Sequence, residues 1–92
     1  MSEATIPQPE APEAGSILMF TTDWCGYCRR LKTQLASAGI TAHEVNIEQE
    51  TQYIPYVEHV NGGNRTVPTV VFPDGSAATN PSLAQVKEAL GL

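Results

Sequence analysis

Two periods of apolar positions alternate along this chain. Ser16-Ile17-Leu18-Met19-Phe20-Thr21 is a short apolar run entering from Gly15, the pattern of a strand buried on both faces. From Cys25 the period lengthens. Cys28, Leu31 and Leu35 fall at i, i+3 and i+7, while Arg29, Arg30, Lys32 and Gln34 lie off that stripe. This predicts an amphipathic helix, with Gly39 as its stop. Val45 and Ile47 alternate with Glu44 and Asn46 as a second strand, and a right-handed crossover makes strand, helix, strand a parallel pair.

The second half is read the same way. A helix is expected from about Thr51 to Asn61, ended by Gly62 and Gly63. Pro55 stands inside it, so either the helix kinks or its first turn starts later. Thr66 to Phe72 reads as a third strand, Pro73-Asp74-Gly75 as a turn and Ser76 to Thr79 as a short fourth strand. Asn80 then caps a last helix with Pro81 at its first position, and Leu83, Val86 and Leu90 form its apolar face. The order βαβαββα is that of an α/β domain.

Composition narrows this picture. Ninety-two residues suffice for one small domain. Residues 1–15 hold three prolines, three glutamates and no basic residue. They read as a disordered acidic tail, with the domain spanning 16–92. The tail lacks the basic start and apolar core of a secretion signal, and no run approaches the ~20 apolar residues of a membrane span. The expectation is a cytoplasmic monomer that engages no membrane. The formal net charge is −5, three of it in the tail, which argues against nucleic acid as a partner.

The only two cysteines stand three apart in Thr22-Asp23-Trp24-Cys25-Gly26-Tyr27-Cys28. As a purely structural disulfide they would close a tiny loop and constrain the unfolded chain little. As zinc ligands they would need His43 and His59, the only histidines, at distances unlike zinc-finger spacing. A working dithiol fits better, and no metal is expected. Cys25 lies where a strand meets a helix N-terminus, whose free N–H groups and dipole stabilise an anion. Arg29, Arg30 and Lys32 add positive charge nearby. Such settings lower a thiol pKa from ~8.5 to between ~3.5 and 7.5. Cys28, on the apolar stripe, is expected inward, and Cys25 outward and reactive.

From Ser16 to its end the chain resembles the glutaredoxin branch of the thioredoxin superfamily. The resemblance is carried by WCGYC after the first strand and by Arg65-Thr66-Val67-Pro68 before the third. It implies a thioredoxin-like (glutaredoxin) fold, a four-stranded mixed sheet flanked by helices. It also implies a cis Pro68 facing the cysteines, with the backbone of Val67 offered to the substrate. Trp24, Tyr27, Arg65 and Thr66 fall within the same motifs, and Tyr27 is expected beside the bound thiol.

Two positions depart from that pattern. Many glutaredoxins carry a lysine three residues before the reactive cysteine, holding one carboxylate of glutathione; here it is Thr22. They also carry Gly-Gly and an acidic residue before the last helix, where this chain reads Ala78-Thr79-Asn80-Pro81-Ser82. TDWC-x-YC, VNGGNRTVPTV and DGS-x-x-TNP look like the mycoredoxin subgroup, which uses mycothiol, a cysteine-bearing glucosamine–inositol sugar. That likeness implies an enzyme reducing mixed disulfides between mycothiol and proteins. Cys25 would be the nucleophile and Cys28 able to close a disulfide. Thr79 and Asn80, with Thr22 and the free N–H groups of the last helix, would meet the sugar. Mycothiol would be a thiol co-substrate, S-mycothiolated proteins the partners, and no cofactor would be bound. Two other readings stand beside it: a thioredoxin-reductase-dependent redoxin of the ribonucleotide-reductase type, which also dispenses with glutathione but carries other residues at TNP and GYC, and a dimer holding a [2Fe–2S] cluster, for which Gly26 is suitably small.

Overall fold

A computed structural model describes residues 8–92 of the chain. The expected disorder of residues 1–7 lies outside the described residues. Residues 8–13 have no regular secondary structure, and Glu13 accepts hydrogen bonds from the Ser16 N–H (3.0 Å) and hydroxyl (2.8 Å) where the first strand begins.

The elements are β1 (Ser16–Thr21), α1 (Gly26–Ser37), β2 (Thr41–Asn46), a 3-10 turn (Thr51–Tyr53), α2 (Ile54–Val60), β3 (Thr69–Val71), β4 (Ala77–Thr79) and α3 (Leu83–Ala89). They form one four-stranded mixed sheet in the order β2-β1-β3-β4. β1 and β2 are parallel; β1 with β3, and β3 with β4, are antiparallel. Covered on both sides, β1 divides its side chains between two cores. Ile17 and Met19 pack with Leu31 and Leu35 of α1, Ile40 and Val86 of α3. Phe20 packs on the other face with Tyr56 and Val57 of α2, Ile47 and Val71.

Helix α1 stops as the sequence predicts, and the geometry shows why. Gly39 takes φ +72°, the left-handed conformation. Its N–H reaches Ala36 O at 3.1 Å while the Ile40 N–H reaches Leu35 O at 2.9 Å. Two orphan carbonyls are thereby satisfied, and Ile40 is delivered into the core beside Leu35.

Three boundaries are corrected. Helix α2 does not run unbroken from Thr51: a 3-10 turn precedes it, and Pro55 falls in its first turn, where a missing N–H costs nothing. β3 starts at Thr69, not Thr66, because Pro68 has no N–H for the ladder; the Val67–Pro68 peptide is cis, as the resemblance implies. Asn80 does not cap α3. It adopts φ +45°, a left-handed conformation that asparagine tolerates, and the cap is Ser82, in a reciprocal capping box with Gln85.

Candidate active site

The cysteine loop is held at the top of β1 by bonds from two directions. On one side Asp23 Oδ1 accepts from Asn46 Nδ2 (2.8 Å), and Trp24 Nε1 donates to Glu48 Oε2 (3.1 Å). These tie the loop to the end of β2. On the other side Cys25 Sγ lies 3.7 Å from the carbonyl oxygen of Val67, the residue before the cis proline.

Cys25 and Cys28 form a disulfide, with Cα atoms 5.2 Å apart. Cys25 is the N-cap of α1, and its Sγ accepts from the Cys28 N–H at 3.1 Å. A sulfur in that role takes up one of the helix's orphan donors, and a thiolate there gains a charge-assisted hydrogen bond. The expected contrast in exposure is corrected: with the disulfide closed, Cys25 is 4 % exposed and Cys28 2 %. Val67, half-buried over the sulfur, closes off the outer cysteine. What distinguishes the two is backbone position. Cys25 sits before the helix with a donor aimed at it, whereas Cys28 lies on its buried stripe.

The charge around the pair is less than the sequence suggests. Lys32 is paired with Glu44 of β2 at 3.3 Å. Arg29 and Arg30 are exposed and have no ion-pair partner among the described residues. Trp24 and Tyr27, 66 % and 65 % exposed, flank the disulfide with apolar surface. Among the described residues no group of three or more His, Cys, Asp or Glu is placed to hold a metal ion, and no helix is long and apolar enough to cross a membrane.

The remaining candidates fall into three places. Thr66, Val67 and Pro68 form the loop facing Cys25, while Arg65 points to Glu58 in an exposed ion pair of 2.8 Å. Asn80 joins this group through its backbone, whose N–H donates to Pro68 O at 2.8 Å. Together with Tyr27 it borders a groove between α1 and α3. The N–H groups expected free at α3 are partly spent: those of Ser82 and Gln85 are engaged within the capping box.

Thr22 stands apart from these residues. It is buried, and lines a separate cavity of about 200 Å³ behind the disulfide with Cys28, Arg29, Lys32 and Glu44. Its hydroxyl is buried with no hydrogen-bond partner among the described residues. An unpaired buried hydroxyl costs about 1–3 kcal/mol. Thr22→Val keeps the shape and removes that group, so it should stabilise the protein by about 1 kcal/mol. Urea unfolding would show a higher midpoint at unchanged slope; a lower midpoint would mean the hydroxyl has a partner.

Sequence reasoning missed the network that supports the Val67 loop. Asn61, at the end of α2, donates through Nδ2 to Val57 O (2.7 Å) and Thr69 Oγ1 (2.9 Å). Thr69 Oγ1 in turn donates to Thr66 O at 2.7 Å. Thr79 donates its hydroxyl to Asn61 Oδ1, which commits that proton to the scaffold. The only advance signal was an asparagine directly before the helix-ending Gly62-Gly63.

Comparison with known proteins agrees with this geometry. A family model described as glutaredoxin matches residues 17–76. A candidate glutaredoxin of Mycobacterium tuberculosis (strain H37Rv) is 53% identical over 75 residues, covering 82% of this chain and 89% of that protein. Mycoredoxin 1 of Corynebacterium glutamicum is 41% identical over 71 residues, 77% of this chain and 87% of that one. Among solved structures, the Methanosarcina mazei glutaredoxin superposes with a TM-score of 0.71 at 21% identity, covering 86% of this chain and 81% of its own, a likeness of fold.

Proposed function

The chain belongs to the glutaredoxin family and is a thiol–disulfide oxidoreductase, and from that premise we propose that it reduces mixed disulfides between mycothiol and proteins. The observation that carries the reading is the Cys25–Cys28 disulfide at the N-terminus of α1, facing the Val67 carbonyl. The choice of thiol is supported by the absence of the two charged groups that grip glutathione. A threonine with no outward hydroxyl replaces the usual lysine, and no acidic residue stands in the Thr79–Ser82 loop. The likeness to a mycoredoxin points the same way.

In the proposed reaction the Cys25 thiolate attacks the mycothiol sulfur of the mixed disulfide. The protein sulfur leaves as a thiolate and takes a proton from water, and mycothiol remains disulfide-bonded to Cys25. A second mycothiol thiolate attacks that bond, regenerating the Cys25 thiolate and releasing mycothiol disulfide. The mixed disulfide is thus reduced at the expense of one free mycothiol, and both sugar thiols leave joined to each other. Cys28 can instead displace mycothiol and close the disulfide present in the structure. Tyr27, Trp24 and the Thr66–Pro68 backbone would receive the substrate. Arg65 and Thr22 would act as supports, since one is paired and the other buried. The enzyme would work as a cytoplasmic monomer without a bound cofactor.

The test compares one protein carrying either mycothiol or glutathione as its mixed disulfide. Each charge-assisted hydrogen bond that glutathione forgoes at this site is worth ~1.5–3 kcal/mol, so turnover with mycothiol should be faster by about tenfold or more. Equal rates with either thiol would reduce the protein to a general glutaredoxin. Turnover only with thioredoxin reductase would make it a redoxin.

A further inference from the structure

We propose that the groove between α1 and α3 receives the sugar end of the thiol co-substrate, with Arg30, Gln34 and Gln85 as its specificity-determining residues. This rests on the mycothiol reading and adds residues that no sequence motif marked.

The groove holds about 340 Å³, within the ~300–1,000 Å³ of small-molecule pockets. It begins at Tyr27, next to Cys28, and continues along α1 past Arg30 to Gln34, with Asn80, Ser82 and Gln85 opposite. From Cys25 to Gln34 the helix rises roughly 13 Å. A ligand attached at the Cys25 sulfur and reaching Gln34 therefore needs a body well beyond its cysteinyl unit.

The chemistry of the lining selects what that body is. The side chains of Arg30, Gln34 and Asn80 make no hydrogen bond among the described residues. Gln85 gives its Oε1 to the Ser82 N–H, which leaves its amide NH₂ unused; the Ser82 oxygen accepts from the Gln85 N–H, which leaves the hydroxyl proton unused. The wall thus offers amides and hydroxyls that both donate and accept, one guanidinium, and no carboxylate. Sugar hydroxyls likewise both donate and accept, so they suit these polar groups, while Leu31, Pro81 and Leu83 offer apolar contact to the C–H faces of the sugar rings. A peptide with two carboxylates would find a single cation. The Asn80 N–H bond to Pro68 O (2.8 Å) fixes this wall relative to the loop facing Cys25.

The experiment is the double substitution Arg30→Ala/Gln34→Ala in the full chain. It is assayed on one protein carrying mycothiol, glutathione or, as a sugarless control, cysteine in mixed disulfide. The ratio of kcat/KM values, mycothiol over cysteine, should fall about tenfold or more. A change in Cys25 reactivity from losing Arg30 affects both substrates and cancels in the ratio. In wild-type protein, the glucosamine–inositol portion alone should shift the side-chain NH₂ resonances of Gln34 and Gln85. A wild type that prefers mycothiol, with a ratio unmoved by the substitution and resonances unshifted, would overturn the groove while leaving the mycothiol reading intact. A wild type with no preference between mycothiol and glutathione would overturn the mycothiol reading itself.

Discussion

Replacing Cys25 by serine should abolish exchange down to the uncatalysed background, whereas Cys28→Ser should retain turnover on mycothiol mixed disulfides within a few-fold. The structure separates the two sulfurs by what their neighbours do to a negative charge. At Cys25 the Cys28 N–H points at the sulfur from 3.1 Å, at the positive end of a twelve-residue helix. Arg29 and Arg30 add uncompensated positive charge close by. A serine oxygen in the same place stays protonated at neutral pH and cannot replace the thiolate as nucleophile. Cys28 lacks the cap position, and the monothiol route needs it for no step. Alkylation of the reduced protein by iodoacetamide should follow a titration well below the ~8.5 of a free thiol, and Cys25→Ser should remove that fast phase. A folded but inactive Cys28→Ser variant would replace the monothiol route with an obligatory dithiol cycle.

Asn61→Ala should be the most damaging change outside the cysteines. One side chain bonds the end of α2, the first residue of β3 and the last residue of β4. Through Thr69 it also fixes the carbonyl of Thr66. At about 1 kcal/mol for each of three bonds, alanine should cost about 2–3 kcal/mol. In a domain of this size that lowers Tm by about 10–20 °C. Activity should fall further than the unfolded fraction explains, because the Val67 carbonyl is positioned by this network, and small displacements at a reacting centre are costly. Measurement well below the transition separates the two effects. Asn61→Asp keeps the acceptor for Thr79 but sets a carboxylate oxygen against the Val57 carbonyl and the Thr69 oxygen, so it should cost at least as much as alanine. A variant with wild-type Tm would show that the network holds nothing.

Much of the fold was legible because local signals agreed with one another. The stripe Cys28, Leu31, Leu35 and the stop at Gly39 defined α1 correctly, and the apolar run before it defined β1. Errors arose where a residue had two possible uses. Asn80 followed by Pro81 reads as a cap and a first turn, yet its backbone is spent on the bond to Pro68 O, so the cap passes to Ser82. Thr66 to Phe72 is apolar enough for a longer strand, but Pro68 has no N–H to give the ladder, which begins only at Thr69. The site itself was legible only where its residues are neighbours in sequence. That Thr22 faces away behind Cys28, that Asn61 supports the opposite loop, and that two helices leave a groove are facts of packing between distant segments.

The contact between Cys25 and Val67 joins residues 42 positions apart. On a ribosome both thiols therefore emerge before the carbonyl that one of them will face. At about 5–20 residues per second that interval lasts roughly 2–8 seconds. During it the nascent chain carries a dithiol next to an incomplete sheet, since β3, the neighbour of β1 on its open side, has not yet been made. The carbonyl that faces Cys25 arrives directly before the strand that completes the sheet's centre. β4 and α3, with the far wall of the groove, follow later still, so a product truncated before β3 keeps its reactive sulfurs while lacking the surface that would choose what they react with.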